Sequence, residues 1–346
     1  MIFGENDQQH SPKVLCFGEA LLDRLGPIGG VVSRNNASQD RLGGAPANVV
    51  CALAKLGIEV AFIGRIGKDC IGNDLRKLFV ESGVNISCLQ VDPLLPTRVV
   101  LVSRDINGER SFGGFEGDQG DGFADEAINL DELSNTWPLI ASDAKWLLLG
   151  TIPLACHVSS QSLLWSVKQA KGLGIRIALD VNWRSVFWDR NSSPDNGPSE
   201  LDQDTIQPLF EVTSLLKLSK EEAIWFFNSS DPLQISNSLS TKPYVVVTDG
   251  ALPIQWWING FKGTTEVPSC LPIVDTTGAG DCFNAGLISQ ILNTDESINS
   301  YEATSAMIRF AAVCGALVCL GAGAIDPQPT YEQVQGFLDS DLGWKS

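Results

Sequence analysis

Histidine is scarce in this chain, with two in 346 residues, His10 in a polar leader and His157 further in. A histidine-built metal site or a Ser-His-Asp triad would have to rest on His157, whose position suits the start of a helix. No Cys-x-x-Cys pair occurs among the nine cysteines, and Cys16, Cys51, Cys314 and Cys319 stand in apolar runs. That pattern argues against structural zinc and reads as buried thiols in a reducing compartment. Basic residues are outnumbered, 24 against 41 acidic, for a formal net charge of -17. Such a field disfavours nucleic acid and anionic membrane surfaces but leaves room for a local basic pocket. No apolar stretch approaches the length of a bilayer span without a glycine or polar interruption, and the run from Phe310 to Leu320 is too short. Residues 1–12 are polar and lack the apolar core of a secretory signal. The expected location is therefore the cytoplasm, or the plastid stroma if a transit peptide has been removed. Neither a G-x-x-x-x-G-K-[ST] loop nor an early G-x-G-x-x-G is present, which argues against Walker-type and dinucleotide-binding enzymes.

What the chain does have is a repeated alternation. Short apolar runs, VLCF (14–17), VAFI (60–63), WLLL (146–149), IRIALD (175–180), LLKL (215–218) and YVVVTD (244–249), alternate with helical patterns near 46–56, 71–82, 159–172 and 220–228. Continuous apolar strands separated by helices predict an α/β fold with a mostly parallel, doubly wound sheet covered on both faces. Ligands bind such sheets beyond the carboxyl ends of the strands. One segment breaks the rhythm: TRVVLVSRDINGERSF (97–112) alternates, and its Asn-Gly at 107–108 is a hairpin signal. It reads as an antiparallel pair forming a small β lid, with lid strands drawn from about 24–42 and 96–116. The polar stretch 191–204 reads as a surface loop, and residues 13–340 as one domain.

The most informative string is VDTTGAGDCFNAGL (274–287). Apolar residues from Cys282 onward recur at helical spacing, so Asp281 falls in a first turn behind Gly278, Ala279 and Gly280. A glycine turn opening a helix makes an anion site, and a carboxylate beside it would repel a resting phosphate. Asp281 could simply cap the helix. Alternatively, the amides hold charge that develops during phosphoryl transfer, and the aspartate takes the proton of the attacking hydroxyl. Other polar residues also follow predicted strands. Asp23 follows the opening strand in FGEALLD, and Gly43 and Gly44 precede a helix carrying Asn48. Asn182 and Arg184 follow IRIALD; Lys217, Ser219 and Glu222 surround LLKLSKEE; Thr248, Asp249 and Gly250 end YVVVTDG. Their recurrence at one end of successive strands points to a common cleft. The glycines of GRIGKDCIG (64–72) read as structural, shaping a strand-to-helix turn.

LGGAPANVVCALAKLG (42–57) and DTTGAGDCFNAG (275–286), with FGEALLD before them and KLSKEE between, closely resemble the pfkB (ribokinase-like) family of carbohydrate and nucleoside kinases. The resemblance runs from about residue 13 to 338, and LDVNWR with FGEALLD looks most like fructokinases. It implies a ribokinase-like fold and transfer of the γ-phosphoryl group of ATP, with Mg²⁺, to a sugar hydroxymethyl. Fructose yielding fructose 6-phosphate is the expected reaction. By the same resemblance Asp281 is the base, and Gly278, Ala279 and Gly280 form the anion hole. Asp23, Gly43, Gly44 and Asn48 match sugar-binding positions, and Asn182 and Arg184 belong with them. Glu222 organises Mg²⁺ through water, and Ser219 stands where that motif often has asparagine. Lys217, Ser219, Thr248 and Gly250 serve the nucleotide, helix residues 309–320 flank the adenine, and Asp275 and Thr277 occupy positions that hold a monovalent cation such as K⁺ in many members. The segment GGFEGDQGDGFAD (113–125) departs from the usual fructokinase pattern. Ribose, 2-keto-3-deoxygluconate and adenosine stay open as acceptors, as does a kinase-like regulatory protein without catalysis. The apolar VVLV of the lid could meet its copy in a homodimer.

Overall fold

The computed structural model describes residues 11–30, 32, 39–106, 110–118, 122–268, 271–294 and 299–340. Most of the leader, part of the first lid segment and the Asn-Gly pair at 107–108 lie outside them. Thirteen strands among the described residues form two sheets. In chain order they are β1 (Val14–Phe17), β2 (Leu21–Ile28), β3 (Gln39–Gly43), β4 (Val60–Gly67), β5 (Asn85–Asp92), β6 (Val99–Arg104), β7 (Arg110–Glu116), β8 (Trp146–Leu149), β9 (Arg176–Asp180), β10 (Leu215–Ser219), β11 (Tyr244–Asp249), β12 (Leu252–Ile258) and β13 (Phe261–Thr265).

The large sheet has the order β13-β12-β11-β10-β9-β8-β1-β4-β5. Its strands from β11 to β5 run parallel, and β12 and β13 close one edge as an antiparallel hairpin. β1 shows why the runs read as continuously apolar. Val14 and Cys16 point into one core, with the helices Ala45–Lys55, Ala279–Thr294 and Tyr301–Val318; Leu15 and Phe17 point into the other, with His157–Gly172 and Glu200–Phe210. All four are fully buried, and each such side chain contributes about 1.5–3 kcal/mol relative to exposure. The chain leaves β1 toward β4 and β5, then returns on the other side through β8, β9 and β10. The crevice at the carboxyl ends of β1 and β8 is therefore a topological switch point.

The small sheet, order β3-β2-β6-β7, is the lid. It begins at Leu21 rather than near residue 24, so Asp23 stands on a lid strand opposite Arg41 and not in the turn leaving β1. β6 is hydrogen-bonded by both β2 and β7, which leaves only its faces open to a partner. The glycine-rich segment 64–72 is structural, as its residues suggested. Asp69 caps the helix Cys70–Glu81, accepting from Gly72 N at 2.7 Å, and also accepts from Thr97 N at 2.7 Å. Gly64, however, lies within β4, where a Cβ would meet the Gly18 carbonyl at 2.6 Å, so it serves strand contact and not the turn. Tyr301–Val318 is long and apolar enough to cross a bilayer, but ten of its side chains are buried in the core, which accounts for its composition.

Candidate active site

A cleft of about 610 Å³ opens at the switch point, between the carboxyl ends of the parallel strands and the lid. Its floor carries Asp23, Asn48, Asp180, Lys217 and Asp281, and Leu21, Val100, Val102 and Phe112 of the lid contribute an apolar wall. The volume suits a small ligand with a few fixed polar contacts.

The late helix enters the cleft by way of residues 275–280. Asp275 braces this turn: Oδ1 accepts from Thr277 N at 3.0 Å and Thr277 Oγ1 at 2.7 Å, while Oδ2 accepts from Gly323 N at 2.8 Å. Gly278 has φ +80°, and a Cβ there would lie 2.6 Å from Ala324 Cβ, so the turn demands glycine on both counts. The Ala279 N–H is taken by the Thr276 carbonyl at 3.2 Å, and helical bonding starts with Cys282 N on Gly278 O at 2.8 Å. A Cβ on Gly280 would stand 3.2 Å from Lys217 Nζ, so the bare glycine faces an ammonium group.

Asp281 Oδ2 accepts from Asn48 Nδ2 at 2.8 Å. Burial pushes the Asp281 carboxyl up to about 6, with Asn48 pulling it down, Asp180 pushing it up, and Lys217 and Arg184 lowering it. Asn48 reaches this position because the helix Ala45–Lys55 starts after Gly44, whose φ of +106° and missing side chain the turn requires: a Cβ there would stand 2.5 Å from the Glu19 carbonyl oxygen. Asn48 Oδ1 is buried with no partner among the described residues. The bare Cα of Gly43 faces both that oxygen and Asp23 Oδ2; a Cβ there would stand 3.6 and 3.4 Å from them. An orphaned acceptor beside an open corner is what a hydroxyl donor from a ligand would complete.

Lys217 Nζ lies 3.1 and 3.3 Å from the two oxygens of Asp180, which also accepts from Asn284 Nδ2 at 2.6 Å. Burial favours the neutral amine, yet the fields of Asp180, Glu222 and Asp281 outweigh it and hold Lys217 charged. Asn182 follows β9 with φ 42°, the left-handed region that asparagine tolerates, and lines the cleft beside the exposed Arg184. Glu222 is buried and doubly held: Oε1 accepts from Trp183 N and Oε2 from Ser219 N, each at 2.7 Å. Ser219 caps the helix Lys220–Phe227, returning a bond from Glu222 N at 3.1 Å, so these two residues form a capping box. Ser219, Thr248, Gly250 and Glu222 do not line the enclosed cleft; Gly250, at φ 56°, sits in the turn between β11 and β12. Asp180, Asn284 and Glu19 were not singled out from the sequence. Asn284 could have been, since it lies three residues beyond Asp281 on the same helix face.

The profile of the pfkB family carbohydrate kinases matches residues 11–331. Fructokinase-2 of Oryza sativa subsp. japonica is 30% identical over 331 residues, which cover 94% of this chain and 93% of that protein. The crystal structure of fructokinase from Vibrio cholerae O395 with fructose, ADP and a calcium ion is 26% identical and superposes with a TM-score of 0.78, covering 96% of this chain and all of that one. A double mutant of that fructokinase with fructose, ADP and a potassium ion is 27% identical, with a TM-score of 0.77 over 94% of this chain and 98% of that one. The cleft, the glycine turn and these relatives lead to one conclusion: this chain belongs to the pfkB family of carbohydrate kinases, and is a fructokinase-like phosphotransferase.

Proposed function

We propose that the protein transfers the γ-phosphoryl group of ATP to the hydroxymethyl oxygen of fructose, giving fructose 6-phosphate. The observation that carries this reading is the Asn48–Asp281 hydrogen bond, which closes on the same cleft as the glycine turn and the open corner at Gly43. Asn48 holds Oδ2 of Asp281, leaving Oδ1 to accept the proton of the attacking hydroxyl. The acceptor oxygen bonds to phosphorus as the bond to the leaving oxygen breaks, and the proton passes to Asp281. In this reading the amides of Gly278 and Gly280 meet the charge developing on the phosphoryl group, and Lys217 Nζ lies beside Gly280. Asp23 and Asn48 Oδ1, with the bare Gly43 beside them, suit the sugar hydroxyls, and Asn182 and Arg184 line the same cleft.

Bound ATP supplies the phosphoryl group, and Mg²⁺ on its phosphates neutralises their charge. Among the described residues no three His, Cys, Asp or Glu side chains converge as metal ligands. That fits a divalent ion carried by phosphates and only one or two carboxylates. The two amides on Glu222 leave it one lone pair per oxygen, which suits contact through water. Asp275 and Thr277 gather the turn where a monovalent cation would assist, and a potassium-bound fructokinase is among the relatives. Ser219, Thr248 and Gly250 stand at the ends of β10 and β11, toward the nucleotide side.

The test is ADP release with ATP and Mg²⁺ across fructose, ribose, 2-keto-3-deoxygluconate and adenosine. Fructose is expected to give the highest kcat/KM; a clear preference for another acceptor would replace the substrate, and no turnover with any would favour a regulatory protein.

A further inference from the structure

Glu19 is the most deeply buried carboxyl in the cleft that the chemistry above does not use. It follows β1, is 3% exposed, and lines the cleft together with the two small cavities behind it. Its Oε1 accepts from Ala45 N at 3.0 Å, at the first residue of the helix that carries Asn48. Its main-chain carbonyl packs on Gly44 so closely that a Cβ would stand 2.5 Å away. Residues 19 and 44–45 are thus fastened together, and Asn48 N closes the next turn on Gly44 O at 2.8 Å.

The surroundings of Glu19 are mostly of its own sign. Asp281 and Asp125 act on it directly, and Asp23, Asp180, Glu126 and the thiol of Cys156 line the same three cavities. The neighbouring cations are committed elsewhere. Arg98 bonds Asp125 at 2.8 and 3.1 Å and Glu126 at 2.6 Å; Lys217 bonds Asp180, and Arg184 bonds the Trp183 carbonyl at 2.9 Å. Among the described residues no ion pair includes Glu19. A carboxylate with no counter-charge, out of water and among other carboxylates, gives up its charge by keeping its proton.

We propose that Glu19 is a positioning residue held as an un-ionised carboxylic acid, whose carbonyl oxygen anchors the Ala45 amide and so delivers Asn48 to Asp281 without adding a second negative charge beside the base. Burial first, then Asp125 and Asp281, push this carboxyl up to about 8, against the pull of its own amide and of the Ala45 amide. The proposal rests on Asp281 being the base. Ionisation above that point would place an anion next to Asp281 and beside the site of a polyanionic nucleotide.

The test compares the wild type with Glu19→Gln and Glu19→Ala, reading kcat and KM against pH and melting temperature against pH. Glu19→Ala loosens the turn and lowers kcat by about 10²-fold. Glu19→Gln offers the same acceptor and a donor without charge, and recovers to within about tenfold of the wild type. Wild-type kcat/KM falls above about pH 8, approaching roughly tenfold per unit, and this alkaline limb disappears in Glu19→Gln. The melting comparison has its own sign. Between about 4.5 and about 8 the folded acid keeps a proton that the unfolded chain has released, so the wild type loses stability relative to Glu19→Gln as pH rises through that window, and not above it. A folded Glu19→Gln no better than Glu19→Ala, one that fails to fold at every pH, or an unchanged alkaline limb with a constant melting difference would each overturn the proposal. If Asp281 proved not to be the base, activity would say so in the Asp281→Asn variant, while the melting comparison would still report the charge of Glu19.

Discussion

As the proposed base, Asp281 is poised between two demands. A base must be ionised when the acceptor arrives, yet the cleft that excludes water makes its charge costly, and Asn48 is the neighbour that offsets this most. Two outcomes follow at the level of single side chains. Asp281→Asn keeps the shape and the helix start but cannot take a proton, so kcat is expected to drop about 10²–10⁴-fold while ATP still binds, as titration calorimetry would read. In the wild type, activity is expected to fall as pH drops through about 6, because the raised carboxyl becomes protonated and inactive below that point. Asn48→Ala removes the hydrogen bond that lowers the Asp281 carboxyl, so the acid limb of the pH–rate profile should move to higher pH as kcat falls. An acid limb that stays in place would mean that the amide orients sugar only.

At the scale of elements, the function depends on a turn that no other residue type can make. Gly278→Ala places a Cβ in the left-handed region and against Ala324, whose loop is tied by Gly323 to Asp275. Strain of about 1–3 kcal/mol is expected, and displacing an amide of the proposed anion hole should lower kcat about 10²–10³-fold. A variant with wild-type kcat and only a lower melting temperature would leave the amides out of the chemistry. The strands VLCF and WLLL could be read residue for residue, because burial on both faces leaves a strand no polar position, and YVVVTD through its fully buried Val245–Val247. The β12–β13 hairpin is missing from the sequence reading: Asn259 and Gly260, both at positive φ, carry its turn signal, but LPIQWWI resembles neither a two-face-buried strand nor a strict alternation. Site residues whose motif spacing is local, such as Gly278 to Asp281, could be found in the string. Asp180 and Glu19 could not, since each looks like an ordinary strand-end acid until β9 is set beside β10 and β1 beside the helix at Ala45.

Taken as a whole molecule, the protein must hold its lid over the large sheet, and a buried ion cluster joins the two. Arg98, just before β6, is 3% exposed at its side chain and pairs with Asp125, 4% exposed, and with Glu126. Its guanidinium lies 4.4–5.0 Å from the ring centroids of Phe115, Phe123 and Phe187. Arg190 extends the cluster to Asp118 and Glu126, fastening the segment after β9 that carries Arg184 and Phe187 into the cleft. The glycine-rich stretch 113–125 supplies Phe115, Asp118, Phe123 and Asp125 to this cluster. Because both charges are out of water, removing Arg98 strands Asp125, whereas removing Asp125 leaves Arg98 still paired with Glu126. Arg98→Met alone should destabilise by about 3–5 kcal/mol and Asp125→Leu alone by less, while the double variant should recover a large part of the Arg98→Met loss. Urea unfolding with an unchanged m-value would read this as a coupling energy of several kcal/mol, whereas additive single losses would show that Arg98 acts through its aromatic packing and not through Asp125. The double variant should also raise the sugar KM more than it lowers kcat, since the lid strand β6 at Val100 and Val102 loses its anchor while Asp281 and Asn48, on the cleft floor, keep theirs.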